Sequence, residues 1–169
     1  MTDIERLFDF AQSALDNQNW LAGMIEVDCD LGNFAVALAS KEAHDNRHKI
    51  IHILAEVFPG VTAIRFLYDG YVTPLEDGKP CPECLGEEPE RSTCTACCGF
   101  GLQTDSTGRS DALVVIEITK EGQTVHTQRY TVVGTPKSGT VRRLYQRPTS
   151  HSINGEDLTG FHSSYPETL

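Results

Sequence analysis

Residues 20–38, WLAGMIEVDCDLGNFAVAL, switch the chain from a helical period to a period of two. Ahead of them, Ile4, Leu7, Phe8, Ala11 and Leu15 recur at helical spacing and predict a helix from Thr2 to Asn19. Thr2 and Glu5 have the spacing of a capping box, which satisfies the first orphan N–H groups of a helix. Beyond Trp20, Ile25, Val27 and Cys29 alternate with Met24, Glu26, Asp28 and Asp30, the pattern of a half-buried strand. Asp30-Leu31-Gly32-Asn33 supplies turn chemistry, and Phe34 to Leu38 reads as the return strand of a hairpin.

Further along, a second helix is expected from Ser40 to Phe58, with Ala43, Ile50, Leu54 and Val57 inside and Pro59-Gly60 as its stop. Val61 to Tyr68 reads as a strand closed by Asp69-Gly70. Ala112 to Thr119 and Gln123 to Val133 read as a hairpin turning near Glu121-Gly122, and Val141 to Gln146 as a last strand. The expected fold is α+β: a mostly antiparallel sheet packed with two helices, and a long cysteine-bearing loop inserted between two sheet strands. This gives a core of residues 1–79 and 110–147, an insertion at 80–109 and a polar tail at 148–169.

The insertion has no hydrophobic period, and a loop of that length in a compact domain needs something to order it. Residues 80–101 read PCPECLGEEPERSTCTACCGFG, a C-x2-C-x9-C-x2-C spacing. Thiolates two residues apart in a tight turn supply half of a tetrahedral zinc site, and two such pairs close it. Rubredoxin-like iron, an iron–sulfur cluster and disulfides are the competing fates of such pairs. The second half, Cys94-Thr95-Ala96-Cys97-Cys98-Gly99-Phe100-Gly101, resembles the C-x-x-C-x-G-x-G repeat in the cysteine-rich region of DnaJ chaperones. The first half departs from that repeat where Glu88 replaces its last glycine. The family has four repeats and two zinc ions, so the two repeats here imply one structural zinc. The chain has no His-Pro-Asp signature of a J-domain, and the resemblance is confined to residues 80–101. It therefore implies a zinc knuckle and not chaperone activity. Gly86 follows Cys84 by two residues as Gly99 follows Cys97, which selects Cys81, Cys84, Cys94 and Cys97 as the ligands over Cys98.

The chain carries 14 basic and 24 acidic side chains, a formal charge of −10. Residues 1–90 hold 17 of the acidic and 6 of the basic ones. An acidic surface repels phosphates, which disfavours direct nucleic-acid binding and suits a partner protein with a basic surface. The start of the sequence lacks the pattern of a secretory signal, and no apolar run reaches the roughly 20 residues of a membrane span. A cytoplasmic location is expected, where clustered cysteines serve metals more often than disulfides.

Other groups invite chemical readings. His44, His48 and His52 recur every four residues, a spacing that can chelate metal, but no glutamate occupies the general-base position of H-E-x-x-H. Their angles place them on a solvated face of the second helix. Glu26, Asp28 and Asp30 share one face of a strand, as in the carboxylate clusters that hold magnesium, with Asp69 and Asp111 at strand ends nearby; the plainer reading is a solvent-facing hairpin. Cys29 aligns with Ile25 and Val27 as a small core residue. Arg142, Arg143 and Arg147 with Tyr145 form the one compact basic and aromatic group, fit to seat a phosphate or to protect an edge strand. Leu85, Phe100 and Leu102 are candidate apolar anchors on the knuckle. No G-x-S-x-G elbow, Walker loop or dinucleotide fingerprint occurs. The leading expectation is a non-catalytic, zinc-stabilised binding or regulatory protein acting through protein–protein contacts, in the manner of a bacterial or phage accessory protein. The alternatives are a nucleic-acid-related protein or acidic nucleic-acid mimic, and a divalent-metal-dependent hydrolase using Glu26, Asp28 and Asp30.

Overall fold

The computed structural model describes residues 1–72, 75–94, 102–104, 110–134 and 141–153. In chain order they form α1 (Asp3–Gln18), β1 (Gly23–Cys29), β2 (Gly32–Leu38), α2 (Lys41–Asp45), α3 (Arg47–Val57), β3 (Ala63–Val72), β4 (Leu75–Pro80), α4 (Glu90–Thr93), β5 (Leu102–Thr104), β6 (Ser110–Thr119), β7 (Gly122–Val133), β8 (Arg142–Tyr145) and β9 (Thr149–Ile153). The chain divides into two compact units, one made of residues 1–70 with the chain from Ala112 onward, the other of Tyr71–Asp111.

The first unit is α+β. Its mostly antiparallel sheet runs in the order β2-β1-β3-β6-β7-β8, with β9 also paired to β7. The capping box at its start is complete: Thr2 N–H donates to Glu5 Oε2 at 2.7 Å and Glu5 N–H to Thr2 Oγ1 at 3.2 Å. At the other end of α1, Asn19 turns left-handed (φ 54°) and donates its N–H to Leu15 O at 2.8 Å. Between these caps the stripe Leu7, Phe8, Ala11 and Leu15 is buried against Leu67, Leu113, Val115 and Tyr130 of the sheet. Burial of each such large side chain stabilises by about 1.5–3 kcal/mol. The opposite parity of the strands, Ile25, Val27, Ile64, Phe66, Val114 and Ile116, is also buried. On that side α2 and α3 cover the sheet, with His44 and the Arg47 guanidinium each 5.9 Å from the Phe66 ring.

Four details differ from the sequence expectation. The helix expected over Ser40–Phe58 is two helices broken at Asn46, whose side chain donates to Glu42 O at 2.8 Å. The break resets the helical phase, so Ile51 and Ala55 are the buried residues of α3 while Val57 is 71% exposed. Strand β3 continues through Asp69-Gly70 to Val72, with Asp69 accepting from Tyr130 Oη at 2.7 Å. Cys29 is only partly buried at the strand end, its thiol 3.5 Å from Gly32 O.

The polar stretch from Pro148 opens with a strand. Thr149–Ile153 pairs antiparallel with β7 from Thr127↔Thr149 to Gln123↔Ile153. β8 pairs with the far half of the same strand, from Tyr130↔Tyr145 to Val133↔Arg142. The two registers differ by one residue, and the extra residue falls in Gln146-Arg147-Pro148. Proline has no N–H for the ladder, so the interruption lies where proline is tolerated. Residues 154–169 lie outside the described set.

In the second unit β4 and β5 pair antiparallel, from Leu75↔Thr104 to Pro80↔Leu102. Cys81 follows directly on β4, and Cys94 directly on α4.

Candidate metal centre

Cys81 follows directly on the last residue of β4, and the chain then turns back on itself. Leu85 N–H donates to Cys81 O at 2.8 Å and Glu87 N–H to Cys84 O at 3.0 Å. Leu85 (φ 53°) and Gly86 (φ 73°) are both left-handed. Glycine takes that conformation without a steric cost, whereas at Leu85 it costs about 1–2 kcal/mol. Further turns bring the third cysteine to the same place. Arg91 N–H donates to Glu87 O at 2.8 Å, Arg91 Nε pairs with Glu88 Oε1 at 2.8 Å, and Cys94 N–H donates to Arg91 O at 3.2 Å.

The ligand atoms of Cys81, Cys84 and Cys94 lie within 4.8 Å of one another. Cys81 and Cys84 are buried, 1% and 5% exposed, and Cys94 packs on them. The Cys81 and Cys94 sulfurs are 3.8 Å apart. That is far beyond a disulfide bond and matches the edge of a tetrahedron with metal–sulfur bonds of about 2.3 Å, which is roughly 3.8 Å. Three converging soft donors on one side of such a tetrahedron can hold a metal ion. Cys97 and Cys98, with the second glycine of the repeat, lie outside the described residues.

The other groups singled out in the sequence fall elsewhere. His44 does not face solvent with its neighbours: the break at Asn46 turns it onto Phe66 and Tyr68, at 5.9 and 6.5 Å between ring centroids. His52 is exposed and sits 3.0 Å from Glu56 Oε1 on the same helix. Arg143 leaves Arg142 and Arg147 and turns onto the C-terminal end of α1. There its Nη1 donates to Leu15 O at 2.9 Å and its Nη2 bonds the Asn19 side chain. Tyr145 beside it donates to Asp16 Oδ1 at 3.0 Å, and burial and that bond push the phenol up. Among the described residues, the three cysteines are the only group of three or more histidine, cysteine or carboxylate side chains placed to share a metal.

Glu26 and Asp28 do share a face, but it is the face covered by α1 and not the solvent. Arg65 Nη1 donates to Glu26 Oε1 at 2.9 Å and to Asp28 Oδ2 at 2.6 Å, while its Nε donates to Glu117 Oε2 at 2.7 Å. Arg6 of α1 takes the other Glu26 oxygen at 2.7 Å. Burial works against charge on Arg65, but its bonds to Glu117 and Asp28 outweigh that and raise its pKa. The row continues to His126 of β7, 3.7 Å from Glu117 and bonded through Nδ1 to Ser150 of β9 at 2.7 Å. The carboxylates here are occupied by guanidinium groups. Asp30 stands apart at the turn, its carboxylate packed on Gly60. Arg65 and Glu117 were not singled out in the sequence; the available signal was a single arginine inside the apolar run Ala63-Ile64-Arg65-Phe66-Leu67. No protein-family model, curated protein or solved structure matches the chain.

Proposed function

We propose that the chain is a zinc-stabilised binding protein that acts through protein–protein contacts, with one structural zinc on Cys81, Cys84, Cys94 and Cys97. The observation that carries the reading is the convergence of three thiols within 4.8 Å, two of them 3.8 Å apart, on a knuckle with two left-handed residues. Thiolate is the ligand that selects zinc over the hard cations, and four of them leave no open coordination position for water or substrate. The zinc would act by ordering the segment, since metal-binding free energy there is folding free energy.

Ordered loops on a rigid support commonly carry recognition. Leu85 is 62% exposed beside the buried sulfurs, an apolar side chain held outward at the tip of the knuckle. The partner suited to it has a basic surface, because the chain carries a charge of −10. The test is capture of partners from the native host with the zinc-loaded protein, the chelated protein and Leu85→Asp. Partners lost with chelator and with Leu85→Asp, while Leu85→Asp keeps its zinc, would support the loop as the contact. Partners retained in both cases would remove it.

A further inference from the structure

The two edges of the large sheet are built differently. The β8/β9 edge carries Arg142, a one-residue register step and Pro148. These are the devices that keep an edge from pairing with another chain. At the other end of the sheet, β2 has none of them. It is seven residues long, GNFAVAL, with no charge, no proline and an unbroken register against β1. Every residue from Gly32 to Ala37 is exposed.

The backbone direction follows from the hairpin. Cys29 pairs with Gly32 across a two-residue loop, and the closing pair of such a hairpin is the hydrogen-bonded one. Alternation from that pair aims the N–H and C=O groups of Asn33, Ala35 and Ala37 away from β1. The side chains alternate as well. Phe34 and Val36 lie on the α3 side, where Phe34 stacks on Phe58 with centroids 4.9 Å apart. Ala35 and Ala37 lie on the α1 side, next to an open groove of about 250 Å³ lined by Phe10, Ala14, Trp20, Leu21, Met24 and Ala37. Trp20 is 57% exposed and Phe10 50%.

We propose that β2 pairs antiparallel with β2 of a second copy of this chain, across a two-fold axis at Ala35, joining two sheets edge to edge. The outward row is self-complementary in that register. Ala35 meets its own counterpart, Asn33 faces Ala37, and Phe34 faces Val36, an aromatic–β-branched pair that stabilises antiparallel ladders. No charged group meets a like charge anywhere along it. A two-fold axis normal to the sheet keeps both α1 faces on one side, so the two grooves with their exposed Trp20 and Phe10 flank the same seam. A basic peptide is the poorer occupant, because the row presents no carboxylate to it.

The test is sedimentation of the full chain over a range of concentrations, for the wild type, Ala35→Lys, Ala35→Asp and an equimolar mixture of the two variants. The wild type should double its mass with concentration. Each variant alone should stay at monomer mass with an unchanged circular dichroism spectrum, since like charges then meet on the axis. The mixture should regain the dimer. Amide exchange of the wild type gives a reading without substitution: protection of Asn33, Ala35 and Ala37 should rise with concentration. A wild type that is monomeric throughout, variants that dimerise as well as the wild type, or amide protection independent of concentration would each overturn the proposal.

Discussion

Arg65 and Glu26 face each other in register on β3 and β1, 2.9 Å apart, with side chains 7% and 1% exposed. A pair so deeply covered is held by Coulomb attraction in a medium that stabilises neither charge alone. Arg65→Met would leave Glu26 with Arg6 only, and would strip Asp28 and Glu117 of the guanidinium they share. Removing one partner of a buried pair costs about 3–5 kcal/mol, so the variant should unfold at markedly lower urea. Arg65→Met with Glu26→Gln should recover part of that loss, because it removes the stranded charge. A double variant no more stable than Arg65→Met would show that Glu26 is not the group that needs the arginine.

Glu117 reports the same network through pH. The His126 imidazole and the Arg65 guanidinium lower its carboxyl from an ordinary value of 4.5 to about 2, against the effect of burial. In the unfolded chain the carboxyl takes up its proton near pH 4.5, while in the folded protein it resists until about pH 2. The stabilisation is therefore present in full above pH 4.5 and lost as pH falls through that window. Glu117→Gln should flatten the stability profile between pH 4.5 and 2. Urea midpoints measured at half-unit steps would show it.

The sequence made α1 legible because its signal is local: a stripe at Leu7, Phe8, Ala11 and Leu15 and a capping box from Thr2 to Glu5. The hairpin of β1 and β2 was legible for the same reason, from alternation and turn chemistry. Glu26 was not. Its alternation with Ile25 and Val27 is that of a half-exposed strand, yet β1 is an interior strand covered on both faces. The partner that lets a carboxylate be buried there, Arg65, lies in another strand of the sheet. Asn46 breaks a pattern that reads as one helix: its backbone leaves helical geometry (φ −99°, ψ 15°), and its side chain joins its own N–H on Glu42 O. The Cys81 pair and its turn were legible from spacing alone, but spacing could not show that Leu85 adopts the left-handed conformation before Gly86.

Gly60 closes α3 against the hairpin turn. It is left-handed (φ 61°), and a β-carbon built there would stand 2.2 Å from the Asp30 carboxylate. Asp30 N–H donates to Pro59 O at 3.0 Å, so the two turns are fastened to each other. Gly60→Ala brings both the left-handed penalty of about 1–2 kcal/mol and displacement of Asp30. Pairing the change with Asp30→Ala should relieve the second effect and leave the first. Thermal melts of Gly60→Ala, Asp30→Ala and the pair would separate them, and a Gly60→Ala melt equal to wild type would refute the account.

The metal assignment makes a prediction that depends on which thiols are ligands. With Cys81 and Cys94 sulfurs already at a tetrahedral edge of 3.8 Å, removing either should abolish binding. Cys81→Ser and Cys94→Ser should each purify without zinc, and Cys97→Ser should do the same as the proposed fourth ligand. Cys98→Ser should keep one zinc per chain. Cobalt loaded in place of zinc should give the visible absorption of a four-thiolate tetrahedron in wild type and Cys98→Ser alone. Because residues 1–70 and the chain from Ala112 form their own compact unit, the sheet should survive in all four variants. Far-ultraviolet circular dichroism and proteolysis would show this as a retained β-sheet signal with new cleavage confined to residues 80–101. One zinc per chain in Cys81→Ser, or loss of zinc in Cys98→Ser with retention in Cys97→Ser, would reassign the ligand set.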